Sequence, residues 1–471
     1  MRRFCLLLSL SVISLSLVKA QTDVSAYIRS LALPVLDITT NDGEEPACDY
    51  VFAPEGEFGI SIINNQTIPG RALLTENGQT VYDSGDYQKD STGMTIRIRG
   101  NTSAYYSSKK PYKIKLEKKN DMLGRNDSNY YDKNWILIDS GGDEINTMIG
   151  LKVNEILGLG NWTPAYKFVN LFINNDYRGI YTLVESVKRN RDCRLNVDKQ
   201  TGYVIECDPY WWNEDVYFSS DMNKKFTFKY PDSDDVTESQ ISYIQQVINS
   251  VEQAIADSTY PDYIDVHSFA LWMLAHDILG TYDSGGANIY LTKYDNTADS
   301  KLCMSVLWDF GSIMKTADQW ARIHYDSFFY FDKLFNNKNT VFKNQYSELW
   351  YQKSNDIFTK IYSFLNSFND SEIAKTIELS RVYDSQRWNY EASTVSQNVQ
   401  DAILWFTQRK QWINEQLKTN DINDVKSQSD NHNIVYTLNG TIVNKQTLMP
   451  GIYIKNGKKF IVRKSDFSAQ R

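Results

Sequence analysis

The run Phe168-Val169-Asn170-Leu171-Phe172-Ile173-Asn174-Asn175-Asp176-Tyr177-Arg178-Gly179-Ile180-Tyr181-Thr182-Leu183-Val184-Glu185 decides how the first half of this 471-residue chain folds. Two stretches rich in apolar residues, Val169 to Ile173 and Ile180 to Val184, flank the turn residues Asn174-Asn175-Asp176, so the segment reads as a β-hairpin. Upstream, Val35 to Thr39, Val81-Tyr82, Thr95 to Arg99 and Lys113 to Leu116 alternate or run apolar between Gly/Asn/Asp-rich turns, and they read as antiparallel strands. Tyr203 to Glu206 adds a further strand. Between these, Ile145, Met148, Ile149, Val153, Ile156 and Leu157 recur at helical spacing, and Gly158 and Gly160 then stop the helix.

After Pro231 the period changes. Thr237 to Ala256 reads as a long amphipathic helix opened by the capping signature Asp235-Val236-Thr237-Glu238, and His267 to Leu279 as a more apolar one. Short β material is expected at Ala287 to Thr292 and Met304 to Leu307, with helices from Tyr325 to Leu417. A β-rich part followed by a helix-rich part is an α+β chain, not a doubly wound sheet. The polar stretch Thr419 to His432 reads as a linker. Ile434 to Lys464, with turns at Asn439-Gly440, Pro450-Gly451 and Asn456-Gly457, reads as a small β module.

Composition narrows the function. With 50 Lys+Arg, 58 Asp+Glu, a net charge of −8 and 42% apolar residues, the chain has the balance of a globular protein and lacks the basic block that clamps nucleic acid. The N-terminus has the charged, apolar and small-residue regions of a secretory signal, with cleavage expected after Ala20. Losing Arg2, Arg3 and Lys19 would take the charge to −11. The apolar run Phe4 to Val18 is short for a bilayer span, and no later segment is long enough. Localisation is therefore expected to be secreted or cell surface. Of the remaining cysteines, Cys193 and Cys207 flank a segment compatible with a disulfide, and free buried thiols fit as well. No Cys-x-x-Cys spacing and only four His make a zinc site improbable.

Phosphate-loop, nucleophile-elbow and His-Glu-x-x-His motifs are all missing. What remains is Asp283-Ser284-Gly285-Gly286-Ala287-Asn288, followed by Trp308-Asp309-Phe310-Gly311. Phosphoryl transfer uses one carboxylate to orient an acceptor hydroxyl, and an Asn and a second carboxylate to hold Mg²⁺ on the nucleotide phosphates. Ordinary turns account for the same letters. Arg97, Arg99, Lys109, Lys110, Lys113 and Lys115 are candidate phosphate cations and Glu185 a candidate acid to hold one of them, but the spacing does not choose the lysine.

Longer segments carry a resemblance. Arg97-Ile98-Arg99-Gly100-Asn101-Thr102-Ser103, Lys109-Lys110-Pro111-Tyr112-Lys113-Ile114-Lys115-Leu116, Asn134-Trp135-Ile136-Leu137, the hairpin above, Gly202-Tyr203-Val204-Ile205-Glu206, Lys229-Tyr230-Pro231-Asp232 and the Trp308-Asp309 turn together resemble the spore-coat CotH kinase family. The likeness runs from about Leu33 to about Lys315. It implies an atypical protein-kinase-like fold of two lobes, β-rich over about 33–230 and helical over about 231–418, within a domain over 21–418. It further implies an exported phosphotransferase acting from ATP, with Mg²⁺ or Mn²⁺, on Ser/Thr of a protein substrate. By position the resemblance makes Lys110 the phosphate-binding lysine and Glu185 its ion-pair partner, with Arg99 beside them. It makes Asp283 the catalytic acid, and Asn288 and Asp309 the metal ligands.

Two departures bear on activity. Met148-Ile149-Gly150 stands where relatives carry an Arg-Asn pair, and Gly311 where they often have a second acid. Residues 433–471, after the 419–432 linker, resemble the C-terminal sorting modules of exported Bacteroidetes proteins, which implies an export machinery as partner. The alternative to an enzyme is a surface binding or adhesion protein that keeps the fold without catalysis. Aromatic runs such as Tyr210-Trp211-Trp212 fit either packing or sugar stacking.

Overall fold

The computed structural model describes residues 24–139, 142, 144–427, 435–437, 442–443, 451–455 and 458–462. The signal segment and the turns at 439–440 and 456–457 lie outside them. The chain divides into two compact units, 1–407 and 408–471.

In the first unit the expected hairpin forms. β9 (Tyr166–Ile173) and β10 (Asp176–Glu185) pair antiparallel, with Asn174 and Asn175 both at positive φ in the turn. They belong to a sheet with β1 (Val35–Thr40), β4 (Ile68–Glu76), β5 (Gln79–Asp83), β6 (Met94–Ile98), β7 (Tyr112–Asn120) and β8 (Asp132–Asp139), in the order β1-β9-β10-β8-β7-β6-β4-β5. Because β1 also pairs with β4, seven of these strands close into a barrel and β5 hangs from β4. The antiparallel expectation holds except for β1 beside β9, which is parallel. Alternation fills the barrel. Met94, Ile96 and Ile98 of β6, Ile114 and Leu116 of β7, and Trp135 and Leu137 of β8 point into its core. Arg97, Lys113 and Lys115 are consequently left on its outer face.

Helix α1 (24–30) precedes the barrel. The hairpin β2 (Asp49–Phe52) and β3 (Ile60–Ile63) and the short helix α2 (Thr102–Tyr106) lie on it. Helix α3 (Glu144–Leu157) follows β8 and ends at Gly158, whose φ of 68° supplies the left-handed stop. A second sheet, order β12-β13-β11-β14-β15, is built from β11 (Tyr203–Cys207), β12 (Tyr217–Ser219), β13 (Lys225–Tyr230), β14 (Ile289–Lys293) and β15 (Leu302–Met304). β15 stops at Met304, short of the expected Leu307.

Helix α4 (Glu238–Asp257) is capped by Thr237 with Gln240, two positions beyond the Asp235–Glu238 pair expected from the sequence. Helix α5 (Val266–Leu279) is buried from Phe269 onward, as its all-round apolar sequence requires. Helices α6 (Phe331–Phe335), α7 (Val341–Asn369) and α8 (Glu372–Trp388) complete the helix-rich part. Helix α9 (Val395–Ser427) continues through residues 419–427 of the expected linker, since an established helix adds one backbone bond per residue whatever the polarity of its side chains. In the second unit, β16 (Val435–Thr437), β17 (Ile442–Val443), β18 (Gly451–Lys455) and β19 (Lys458–Val462) form an antiparallel sheet. The four described cysteines are free thiols, so Cys193 and Cys207 do not pair. No described helix is long and apolar enough to cross a membrane.

Candidate active site

A cavity of about 210 Å³ opens where the β6–β7 connection, the end of β8, the start of α3 and the turn after β15 meet. Arg99, Ser103, Ser107 and Pro111 come from the first, Ile138 and Asp139 from the second, Asn146 and Thr147 from the third, and Trp308 to Gly311 from the last. Two expected site residues, Arg99 and Asp309, thus share one cavity.

The Asp309 turn is built for its position. Asp309 has φ 63°, a left-handed conformation that Asp tolerates, and its Oδ1 accepts the Gly311 amide at 3.3 Å. Phe310 packs on Gly150 of α3, where a β-carbon would come within 1.9 Å of its ring. The glycine noted as a departure therefore admits the turn. The same helix still contributes polar side chains, Asn146 and Thr147, one turn earlier. Gly311 leaves room, since a β-carbon there would meet only Asp309 Oδ1 at 3.6 Å.

Asp283 sits in a 3-10 turn (Asp283–Gly285) stitched to the same loop. Its amide donates to Ser312 Oγ at 3.0 Å, and the Tyr282 amide donates to the Ser312 carbonyl at 3.1 Å. Desolvation and the neighbouring Asp309 charge raise the Asp283 carboxyl above the usual carboxylate range, against Ser312, Arg322 and Lys315, which pull it down. Asn288, also left-handed at φ 59°, immediately precedes β14. The β11–β14 register, with Cys207 opposite Ile289, carries Asn288 opposite the buried Asp208.

Lys110 and Glu185 do not form the expected pair. Lys110 Nζ donates to the carbonyls of Ala104 and Ser107 at 2.6 and 2.7 Å, stapling the end of α2. Glu185 binds Arg125 Nη2 at 2.8 Å, and its other oxygen accepts the Ala165 amide at 3.0 Å. The register explains the separation. Glu185 lies opposite Trp135, which lies opposite Ile114, whereas Lys110 stands four residues before Ile114, with its carbonyl bound by Tyr181.

The lysine that does meet acids is Lys109, 3% exposed, with Nζ 3.2 Å from Asp139, 2.9 Å from Asp384 of α8 and 2.8 Å from the Ile180 carbonyl. Gly179, at a bulge in β10, leaves space for the Asp384 carboxyl. Asp139 lines the cavity, so this buried pair braces its wall.

Sequence reasoning missed Asp139, Asn146, Thr147 and the two serines; only Ser103 stood inside a quoted motif. It also left Lys113 undecided. Arg97 and Lys113 face each other across the β6–β7 ladder, and neither forms an ion pair with any described residue. Burial, followed by the charges of Arg97, Lys188, Arg99 and Lys115, depresses the Lys113 ammonium to about 7. Burial, followed by the charges of Glu206 and Asp208, raises the Tyr290 hydroxyl of the second sheet well above the ordinary tyrosine range.

Among the described residues no three His, Cys, Asp or Glu side chains are grouped to cage a metal ion by themselves. Asp309, which lines the cavity and whose carboxylate makes no ion pair with any described residue, is an oxygen ligand available to a hard cation.

No curated protein matches the chain. Residues 96–413 match the family described as CotH kinase protein, a span covering most of the barrel, the second sheet and every side chain that lines the cavity. The chain belongs to the CotH kinase family.

Proposed function

We propose that this protein is an exported phosphotransferase of two-lobed, kinase-like architecture that moves the terminal phosphoryl group of ATP to a Ser or Thr hydroxyl of a protein. The supporting observation is the cavity that Arg99 and Asp309 both line, with the Asp283 turn tied to the same loop through Ser312. Asp283 receives the proton of the acceptor hydroxyl as its oxygen bonds to phosphorus, and the bond from phosphorus to the bridging oxygen breaks to release ADP. A carboxyl raised above its usual range is a better proton acceptor than an ordinary surface aspartate. Arg99, with the unpaired Arg97 and Lys113, balances phosphate charge. Asn288 and Asp309 would hold Mg²⁺ or Mn²⁺, which neutralises phosphate oxygens when bound.

The test is incubation with labelled ATP and Mg²⁺ or Mn²⁺, beside Asp283→Ala and Asp309→Ala, reading incorporation into the protein itself and a generic acceptor. Incorporation abolished in both variants is expected. Activity surviving both substitutions overturns the assignment.

The second reading, a binding protein on a kinase scaffold that has lost catalysis, is favoured by one observation: Lys110 and Glu185 lie apart. Absence of incorporation together with absence of any Mg-ATP thermal shift would select it. Export by the N-terminal segment and a sorting role for the 433–471 module belong to the same proposal. Mass spectrometry of the extracellular protein should find Gln21 as its first residue.

A further inference from the structure

The cavity is lined by the hydroxyls of Ser103, Ser107 and Thr147 and by the carboxylates of Asp139 and Asp309. Ser107 and Asp139 are bonded to each other. Ser107 Oγ lies 3.0 Å from Asp139 Oδ2 and 2.7 Å from the Lys109 carbonyl, two acceptors for its one proton. Asp139 is in turn fixed from behind. Its Oδ1 is 3.2 Å from Lys109 Nζ, and that ammonium is anchored on Asp384 at 2.9 Å and on the Ile180 carbonyl at 2.8 Å. A hydroxyl bonded to a carboxylate that a third group orients is the arrangement that activates a serine. Burial separates it from an ordinary surface contact, since the Asp139 side chain is 9% exposed and that of Lys109 3%.

The backbone holds the pair in place. Ser107 ends α2, with its amide on the Ser103 carbonyl at 2.9 Å and its own carbonyl bound by Lys110 Nζ at 2.7 Å. Asp139 is the last residue of β8. At about 210 Å³ the cavity suits a phosphate group rather than a whole nucleotide, so a phosphoryl group held there by Arg99 lies close to the side chains that line it. Asp283, the acid assigned to an incoming protein hydroxyl, is not one of the lining residues, and Asp309 is assigned to the metal. Asp139 is the carboxylate that already faces a hydroxyl.

We propose that Ser107 is an acceptor in its own right, phosphorylated inside the cavity of the same molecule with Asp139 as its base. The proposal rests on the phosphotransferase reading and names one substrate of it. Ser107 Oγ forms its bond to the terminal phosphorus of ATP while the bond from that phosphorus to the bridging oxygen breaks, and the electron pair leaves with ADP. The hydroxyl proton passes to Asp139. Lys109 keeps Asp384 as its partner when Asp139 becomes neutral, so the step leaves no buried ammonium unpaired. The phosphoserine, with a charge of about −1.5 to −2 at pH 7, then shares the cavity with Arg99.

The test treats the full chain with a protein phosphatase, removes the phosphatase, and adds Mg-ATP over a tenfold range of protein concentration, with dephosphorylated casein as a separate acceptor. Phosphate is located by tandem mass spectrometry. The expected result is phosphoserine at 107, formed with a rate constant that does not change with protein concentration. It should be lost in Ser107→Ala, replaced by phosphothreonine in Ser107→Thr, and slowed about tenfold or more in Asp139→Asn. Casein labelled while Ser107 stays bare overturns the proposal and leaves the phosphotransferase reading standing. Label on Ser103 or Thr147 alone, a rate that rises with protein concentration, or full-rate labelling in an Asp139→Asn protein that melts like wild type overturns it as well. Should Asp139→Asn not fold, the location of the phosphate and the concentration dependence decide. Absence of label from both casein and the chain would sink the phosphotransferase reading and this proposal together.

Discussion

At Gly150, one absent side chain sets the position of the Asp309 turn. A β-carbon would sit 1.9 Å from Phe310 Cδ1, so Gly150→Ala must displace a buried ring inside a packed contact. Its expected cost is about 1–3 kcal/mol in a urea titration, together with a loss of phosphate transfer larger than that destabilisation explains. Asp309→Ala should behave in the opposite way. It removes an exposed carboxylate from a left-handed position, so melting should fall only slightly while the Mg-ATP thermal shift disappears; a normal shift would sink the metal role. Lys113 supplies a pH signature. The unfolded chain keeps that proton up to the ordinary lysine range, whereas the folded chain releases it near 7. This residue's contribution to stability is therefore full above the ordinary lysine range and falls as pH drops through about 7. An anion placed between Arg97 and Lys113 would restore the proton. Pyrophosphate binding at pH 7.5 should take up protons, seen as different calorimetric heats in HEPES and Tris, and Lys113→Met should abolish the difference.

Among the elements, α8 has a role its sequence does not announce. Asp384 crosses to Lys109, and Lys109 to Asp139, so one helix of the second half braces the cavity wall of the barrel. Tyr390 adds a hydroxyl donated to Asp384 at 2.7 Å. Lys109→Met would leave two buried carboxylates without their cation, at an expected cost of about 3–5 kcal/mol. Lys110→Met, which only frees two carbonyls near the surface, should cost much less and should loosen α2. Equal losses from the two substitutions in chemical denaturation would refute the distinction. The choice between adjacent lysines could not be made from spacing, because both lie in one basic block and their fates diverge only where β10 and α8 arrive.

At the scale of the molecule, closure of the barrel matters most. β1 is the seam, bonded to β4 on one side and β9 on the other. The family match begins at residue 96, inside β6, so β1, β4 and β5 precede it although the barrel cannot close without the first two. A chain trimmed to 96–413 should expose two unpaired strand edges and aggregate in size-exclusion chromatography, whereas 24–427 should elute as a folded species. In hydrogen exchange, β1 should be among the slowest segments, since its backbone is held from both sides; rapid exchange there would mean an open sheet.

Local pattern determined much of this protein. Alternating or apolar runs placed β1, β6, β7, β9 and β10, helical spacing and apolar composition placed α3, α4 and α5, and Gly158 stopped α3 where expected, because these features depend on neighbours a few residues apart. Arg99 and Asp309 were legible as site residues because they lie in quoted motifs. Tertiary structure alone decided that the strands close into a ring, that Glu185 binds Arg125 rather than Lys110, and that Asp139, Asn146 and Thr147 enter the cavity. Those outcomes depend on which strand lies beside which and how far the register carries a side chain along it. Spacing along the chain holds no record of a contact made across 275 residues, as between Lys109 and Asp384.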